Sequence, residues 1–451
     1  MNSSTQRGAQ PSALYRMLWR WHFFAGLLTL PFVLILCITG AIYLFKDEIN
    51  DRAYPGLRFV TPEAQAPQPA SALIAAASAA QPGTVKTYLP AAAPGRSAEV
   101  RIATPEGGKA SVFVNPWTAQ VLGQQGDGGA AGSPAMLLVR KLHSLKYFGW
   151  VTERIIEGVA GWMILLSASG LYLWWPRGQT GGVVSVRGTP RKRVFWRDAH
   201  AVTGVFAAGF ILFLALTGLP WSGCWGAKFY DFAYRAGMGM PDGYWDSVPV
   251  STVPVKEVVD HAPWIMENQP VPLSSAAAGI PAKIDDVIAT VEARGLAPGY
   301  ALSIPAKPTG VFTTSVYPDD ITRERVIHLD QYSGQVLFDM GLAELGLFGR
   351  LAEWGISFHM GQAFGRTNQL ILLVALIAIA GLPLSGVVMW WKRRPAGRLA
   401  APRLPVAEGA PWVLLSMAVV AGLFFPMVGL SMLVFAAVEL AGLGLRRARH
   451  A

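Results

Sequence analysis

The stretch HFFAGLLTLPFVLILCITG (residues 22–40) is an apolar run that opens on His22, carries Gly26 one turn further on and closes on Thr39-Gly40. The stretch HAVTGVFAAGFILFLALTG (residues 200–218) repeats it at the same offsets with His200, Gly204 and Thr217-Gly218. At 3.6 residues per turn, histidine and closing glycine are about five whole turns apart, so they share one stripe of a helix. A second ruler runs through the chain. His143 is followed by Gly149, Ser169-Gly170 and Trp174-Trp175, and His359 is followed at the same spacings by Gly365, Ser385-Gly386 and Trp390-Trp391. Four histidines therefore form two matched pairs, each member beside or before a long apolar run.

The 451 residues are 52% hydrophobic and 15% charged, a balance that points to an integral membrane protein with sizeable soluble parts. Apolar runs lie at 23–45, 155–175, 201–221, 368–391 and 411–445. The net charge of +10 is concentrated beside them: Arg16 and Arg20; Arg177, Arg187, Arg191, Lys192, Arg193 and Arg197; Lys392 to Arg394; Arg446, Arg447 and Arg449. Cations at alternate ends of spans are a topology signal, which excludes nucleic acid as the partner this charge serves. They set the N-terminus inside the cell, 46–154 outside, 176–199 inside, 222–366 outside and 392–410 inside. Cys37 and Cys224 are far apart, so no disulfide framework is implied, and no C-x-x-C-H motif for covalent haem attachment is present. The first run is long enough to span and no small-residue cleavage site follows it, so it reads as an uncleaved anchor. The last run, about 35 residues and interrupted at Phe424-Phe425-Pro426, reads as two short helices hinged near Pro426, because its basic end must return inside.

The outer segments have soluble character. A short helix is expected at 70–80, with strands at 84–89, 97–103 and 110–115; a helix is expected at 283–294, with strands at 299–304, 311–317 and 323–330. Asn115-Pro116-Trp117-Thr118 and Asp330-Gln331-Tyr332-Ser333-Gly334 fall at matching turns. The expected organisation is a duplicated helix–module–helix unit: tail and first span 1–45, first module 46–142, helix end and second span 143–175, basic loop 176–199, third span 200–222, second module 223–358, helix end and fourth span 359–394, and a C-terminal hydrophobic hairpin 411–445. The fold class is an α-helical integral membrane protein, with a four-helix core and two small α+β modules outside.

Ionisable groups at a membrane span are costly and suggest function. Neutral imidazole is a good axial ligand for haem iron, and two of them fill both axial positions. On the inferred topology His22 and His200 lie at the inner face and His143 and His359 near the outer one, which allows one haem between each pair. Gly26 and Gly204 remove bulk beside the inner histidines, leaving room for a flat macrocycle; helix packing through small residues is the competing account. Arg20 and Arg197 near the inner pair, and Lys146 and Arg366 near the outer, suit the carboxylates of haem, while inside-positive charge also explains the first two. A zinc site needs three or four converging ligands and each face offers two. A histidine at a helix end is, taken singly, an ordinary cap, and a proton relay is the further alternative. His261 and His328 have no repeated partner and read as ordinary histidines of the modules. Tyr230, Tyr234, Tyr244 and Trp245 are candidate ligand contacts or an interfacial helix.

In Arg20-Trp21-His22, Trp196-Arg197-Asp198-Ala199-His200, Lys141-Leu142-His143-Ser144, Trp174-Trp175-Pro176 and the two module turns, residues 15–395 resemble the PepSY-associated transmembrane family of bacterial inner-membrane proteins. The resemblance implies PepSY-like periplasmic modules, a multi-pass chain with a cytoplasmic N-terminus, and a di-haem b reductase with two haems per chain on His22, His200, His143 and His359. It implies a ferric siderophore as substrate, reduced so that its iron is released during iron uptake, and membrane lipid around the helices. No Gly-x-Gly-x-x-Gly follows a strand, so electrons are expected from a separate reductase or from quinol. A non-enzymatic binding or regulatory module, and a siderophore or metal permease, are the alternatives.

Overall fold

The computed structural model describes residues 12–177, 181–240, 248–274, 279–394, 410–434 and 437. Its principal helices are α1 (Ala13–Tyr43), α2 (Lys46–Ala53), α3 (Ala70–Ala80), α4 (Pro134–His143), α5 (Trp150–Trp174), α6 (Arg193–Gly218), α7 (Trp225–Arg235), α8 (Ile284–Ala293), α9 (Leu347–His359), α10 (Arg366–Trp391) and α11 (Ala410–Phe424). The chain separates into two units. One comprises Met1–Gly40, His143–Ala227 and Leu373–Ala451; the other comprises Ala41–Leu142 and Lys228–Leu372.

The first unit is built on four helices long and apolar enough to cross a membrane: α1, α5, α6 with its final turn to Trp221, and α10. The shortest, α5, has 25 residues, which at about 1.5 Å per residue exceeds the ~30 Å hydrocarbon core. The chain is thus a multi-pass membrane protein. Val33 and Cys37 of α1, Val159 of α5, Ala207 and Ile211 of α6 and Ile379 of α10 form one buried cluster, so all four helices share a core. Glu157 is a buried carboxylate within α5. It accepts from the backbone N–H groups of Cys224 and Trp225 at 2.9 and 2.8 Å, satisfying donors at the start of α7.

At the C-terminal end α11 stops at Phe424, and helix resumes from Pro426 to residue 434. A Cβ on Gly422 would lie 3.0 Å from the Cα of Gly429, so the two short helices meet backbone to backbone where the chain turns back. Phe425 and Val428 pack on Gly161 of α5, and Trp162 Nε1 donates to Ser431 Oγ at 2.9 Å. Residues 435–436 and 438–445 of the run lie outside the described residues.

The second unit centres on strands β1 (Thr84–Leu89), β2 (Ala98–Ala103), β3 (Lys109–Val114) and β4 (Val121–Gly126), a small pair β5 (Val250–Pro254) and β6 (Pro270–Pro272), and β7 (Ala301–Ser303), β8 (Val311–Val316), β9 (Arg325–Asp330) and β10 (Val336–Gly341). Where the sequence suggested two separate modules, the structure has one antiparallel eight-stranded sheet, ordered β10-β9-β8-β7-β1-β2-β3-β4. The joint is β1 against β7, with Thr87 opposite Ser303 and Tyr88 opposite Leu302. Each half follows its own helix. Leu73 and Ala77 of α3 pack on Tyr88, Val100, Ile102 and Val112; Val287 and Val291 of α8 pack on Leu302, Phe312, Ile327 and Leu329. Ile288 touches both clusters.

The matched turns close alike. Asn115 Oδ1 accepts from Trp117 N at 2.9 Å, and Asp330 Oδ1 from Tyr332 N at 2.9 Å, so each side chain imitates a backbone turn. Asn115 N then pairs with Gln120 O, and Asp330 N with Gln335 O, at the same offset.

Candidate functional site

His22 on α1 lies against α5, where its Nδ1 is 2.9 Å from Ser169 Oγ. His200 on α6 lies against α10, with Nδ1 2.9 Å from Ser385 Oγ and 3.1 Å from the Leu382 carbonyl. His143, the last residue of α4, has Nδ1 2.9 Å from Thr39 Oγ1 on α1. Three of the four histidines are therefore held through Nδ1 by hydroxyls that the sequence showed only as marks on the repeated ruler. His359 is the last residue of α9 and belongs to the other unit.

A carbonyl oxygen only accepts, so the bond between His200 Nδ1 and Leu382 O places the hydrogen on Nδ1 and leaves Nε2 its lone pair, the state in which imidazole binds a metal. Ser169 Oγ also lies 3.2 Å from Leu166 O, and Thr39 Oγ1 2.5 Å from Ile35 O, so each hydroxyl can give its proton to its own helix and accept from Nδ1 of His22 or His143. Among the described residues, Nε2 of His22 and His200 has no hydrogen-bond partner.

The His22 and His200 rings have centroids 6.3 Å apart and planes at 84°. Two imidazoles binding one metal ion from opposite sides, each at about 2.0 Å, have their centroids about 6 Å apart. The separation of the two rings is thus the one expected of two imidazoles that share one iron. No group of three or more His, Cys, Asp or Glu converges among the described residues.

The glycines divide into distinct roles. Around Gly26 nothing lies within 4 Å of a built Cβ, so open space borders the helix beside His22, whereas Gly204 is in ordinary contact with Leu382. Gly170 and Gly40 receive the imidazole edges themselves: a Cβ there would stand 3.2 Å from His22 Cε1 and 3.5 Å from His143 Cε1. The hydroxyl–glycine dipeptide is therefore a seat, the hydroxyl binding Nδ1 and the glycine admitting the ring. Gly149 and Gly365 have φ of +104° and +55°. They turn the chain between the histidine-bearing helix and the span that follows. The sequence placed His143 and His359 a little before their spans; they lie there, and each ends a helix of its own.

The flanking cations are placed unevenly. Arg20 lies 5.3 Å over the Phe24 ring. Arg197 is paired with the fully buried Asp198, which also accepts from Arg187. Arg366 is 3.4 Å from Glu48, and Lys146 is exposed in a short turn.

In the second unit Tyr230 is committed within the fold, donating to Ile265 O at 2.8 Å and accepting from Gln269 at 2.6 Å, with Tyr234 stacked on it. Tyr244 and Trp245 lie outside the described residues. His328 is a fully buried strand residue joined to Thr313 at 2.9 Å, and burial pushes its pKa down to about 3. His261 stacks on Tyr317 at 5.3 Å and is also pushed down to about 3, by burial first and then by Arg140, Lys46 and Arg101. Glu324 and Glu353, 2% and 1% exposed, form a buried acidic pair that sequence reading missed.

No curated protein matches the chain. Residues 19–393, which hold all four histidines and all four spans but for the first turns of α1, match the family described as PepSY-associated TM region, and the chain belongs to that family.

Proposed function

We propose that the protein is a di-haem b reductase of the bacterial inner membrane, which passes electrons from the cytoplasmic side to a ferric siderophore in the periplasm and releases its iron. The observation that carries this reading is the His22–His200 pair: two rings 6.3 Å apart, each held through Nδ1, with no hydrogen-bond partner on Nε2 among the described residues. Haem iron held by His22 and His200 would supply one-electron transfer without an open site for oxygen. The chain's part is to hold the two rings against α5 and α10, and to leave space at Gly26 for a flat macrocycle. His143 is held in the same manner by Thr39, and the second haem is proposed on His143 and His359 from their matched spacing. Arg20, Arg197, Lys146 and Arg366 are cations close in sequence to these ligands. Arg197 and Arg366 would have to share their guanidinium groups with Asp198 and Glu48.

The basic segments beside the spans support an N-terminus in the cytoplasm. The sheet unit, read as two PepSY-like modules joined edge to edge, then faces the periplasm. A separate reductase or quinol supplies the electrons. The siderophore as acceptor rests on the family resemblance.

The test is optical. Protein purified from haem-replete cells is expected to show low-spin Soret and alpha bands and about two b-type haems per chain. His22→Ala or His200→Ala should remove one haem, and the reduced protein should be reoxidised by a ferric siderophore with release of ferrous iron. A colourless preparation overturns the reading.

A further inference from the structure

We infer that Ser169 and Ser385 are positioning residues which set how strongly His22 and His200 donate to iron, and that His22 depends on its serine more than His200 does. The inference rests on the haem reading proposed above and concerns only this chain's own side chains. A ring that gave Nε2 to iron would carry its hydrogen on Nδ1. Each serine Oγ stands 2.9 Å from that nitrogen, with a carbonyl of its own helix, Leu166 O for Ser169 and Leu382 O for Ser385, in reach of the hydroxyl proton. Each serine is therefore placed to accept from Nδ1–H.

A hydrogen bond accepted from Nδ1–H pushes electron density toward Nε2 and makes the ring a stronger donor. A stronger donor favours the ferric state, so losing the bond raises the midpoint potential. The two rings differ in what remains when the serine is removed. His200 keeps the Leu382 carbonyl at 3.1 Å, an acceptor that no side-chain substitution deletes. Among the described residues His22 has only Ser169. Without it the Nδ1–H has no acceptor inside an apolar bundle, and neither tautomer nor ring rotation is fixed.

The packing also differs. Gly170 lies against His22 Cε1, while a Cβ on Gly386 would meet nothing within 4 Å. His22 is thus held by a close steric seat and one hydrogen bond, and His200 by two acceptors.

The experiment uses the full chain purified from haem-replete cells as wild type, Ser169→Ala, Ser385→Ala and Ser169→Thr. Midpoint potentials come from potentiometric titration, and ligand geometry from the low-spin ferric electron paramagnetic resonance signals. Ser169→Ala should raise the potential of one haem and broaden or shift its signal. Ser385→Ala should raise it less. Ser169→Thr, which keeps a hydroxyl, should stay close to wild type. If Ser169→Ala loses that haem altogether, recovery in Ser169→Thr carries the inference and failure to recover overturns it. Haem-loaded Ser169→Ala with wild-type potential and signals overturns it too, as does a shift in Ser385→Ala equal to or larger than that in Ser169→Ala. A colourless wild type overturns the haem reading and this inference together, whereas coloured variants without the predicted ranking overturn the inference alone.

Discussion

Ala119 and Gly334 occupy corresponding places in the two matched turns, with φ of +58° and +69°. Glycine adopts that conformation at no steric cost, whereas an L-residue does not. Ala119→Gly is therefore expected to stabilise the protein by roughly 0.5–1 kcal/mol, read as a higher thermal midpoint of the full chain in detergent. The glycine seats make a second contrast. At Gly170 the added Cβ would press on His22 Cε1 at 3.2 Å, while at Gly40 the 3.5 Å approach to His143 is ordinary contact. Gly170→Ala should cost about 1–3 kcal/mol and, on the proposed haem ligation, disturb the low-spin absorbance, and Gly40→Ala should leave both nearly unchanged. Equal behaviour of the two variants would refute the seat. At this scale the sequence showed the histidines and glycines through their spacing, and it marked Ser169, Thr39 and Ser385 without giving them a task. The reason is distance along the chain: Ser169 reaches a histidine 147 residues away, and local pattern does not say which helices touch.

The helix α9 carries both His359 at its end and Glu353 six residues earlier, and the latter anchors it by accepting from Trp264 N at 2.5 Å. Glu324 stands at the start of β9, and neither of its carboxylate oxygens has a hydrogen-bond partner among the described residues. Burial raises the pKa of both carboxyls; the charge of Glu353 raises Glu324 further, and Glu267 adds to the rise at Glu353 against the opposing bond from Trp264. Folded pKa values above the ordinary 4.5 mean that the folded state binds more protons than the unfolded one as pH rises past that value. The pair's stability is then full at low pH and is lost as pH rises through the raised values. Glu324→Gln removes one ionisation and with it the repulsion between the two carboxylates, so its thermal midpoint should fall less than wild type between pH 5 and pH 9. Parallel slopes would show that the pair does not couple to folding. Among the elements, α3 at Ala70–Ala80 and β1 at Thr84–Leu89 coincide with the expected segments, because alternating and helical periods are local properties. The break between α4 and α5 was less legible. It depends on a left-handed glycine, Gly149, which the spacing marked only as a repeated position after His143.

At the level of the molecule, the sequence suggested two modules and the structure makes one sheet of them. Alternation in β1 and β7 tells which side chains face the helices; it does not tell that the edges of the two strands will pair with each other. The joint is short, with β7 only three residues long, yet it is reinforced on the helix side, where Ile288 packs into both clusters and Ser71 N donates to Asp285 at 3.1 Å. Two halves coupled through a shared sheet and a shared helix layer should unfold together. Leu73 lies in one cluster at 1% exposure and Leu329 in the other at 0%. Leu73→Ala and Leu329→Ala should each cost about 2–5 kcal/mol by leaving a cavity. If the sheet is one cooperative unit, each variant shifts the same transition, and amide exchange rises in both halves whichever leucine is replaced. If the joint is only a contact between independent modules, Leu73→Ala loosens 70–126 alone and Leu329→Ala loosens 284–341 alone. Exchange measured strand by strand on the full chain separates the two outcomes, with Tyr88 and Leu302 at the joint as the most telling positions.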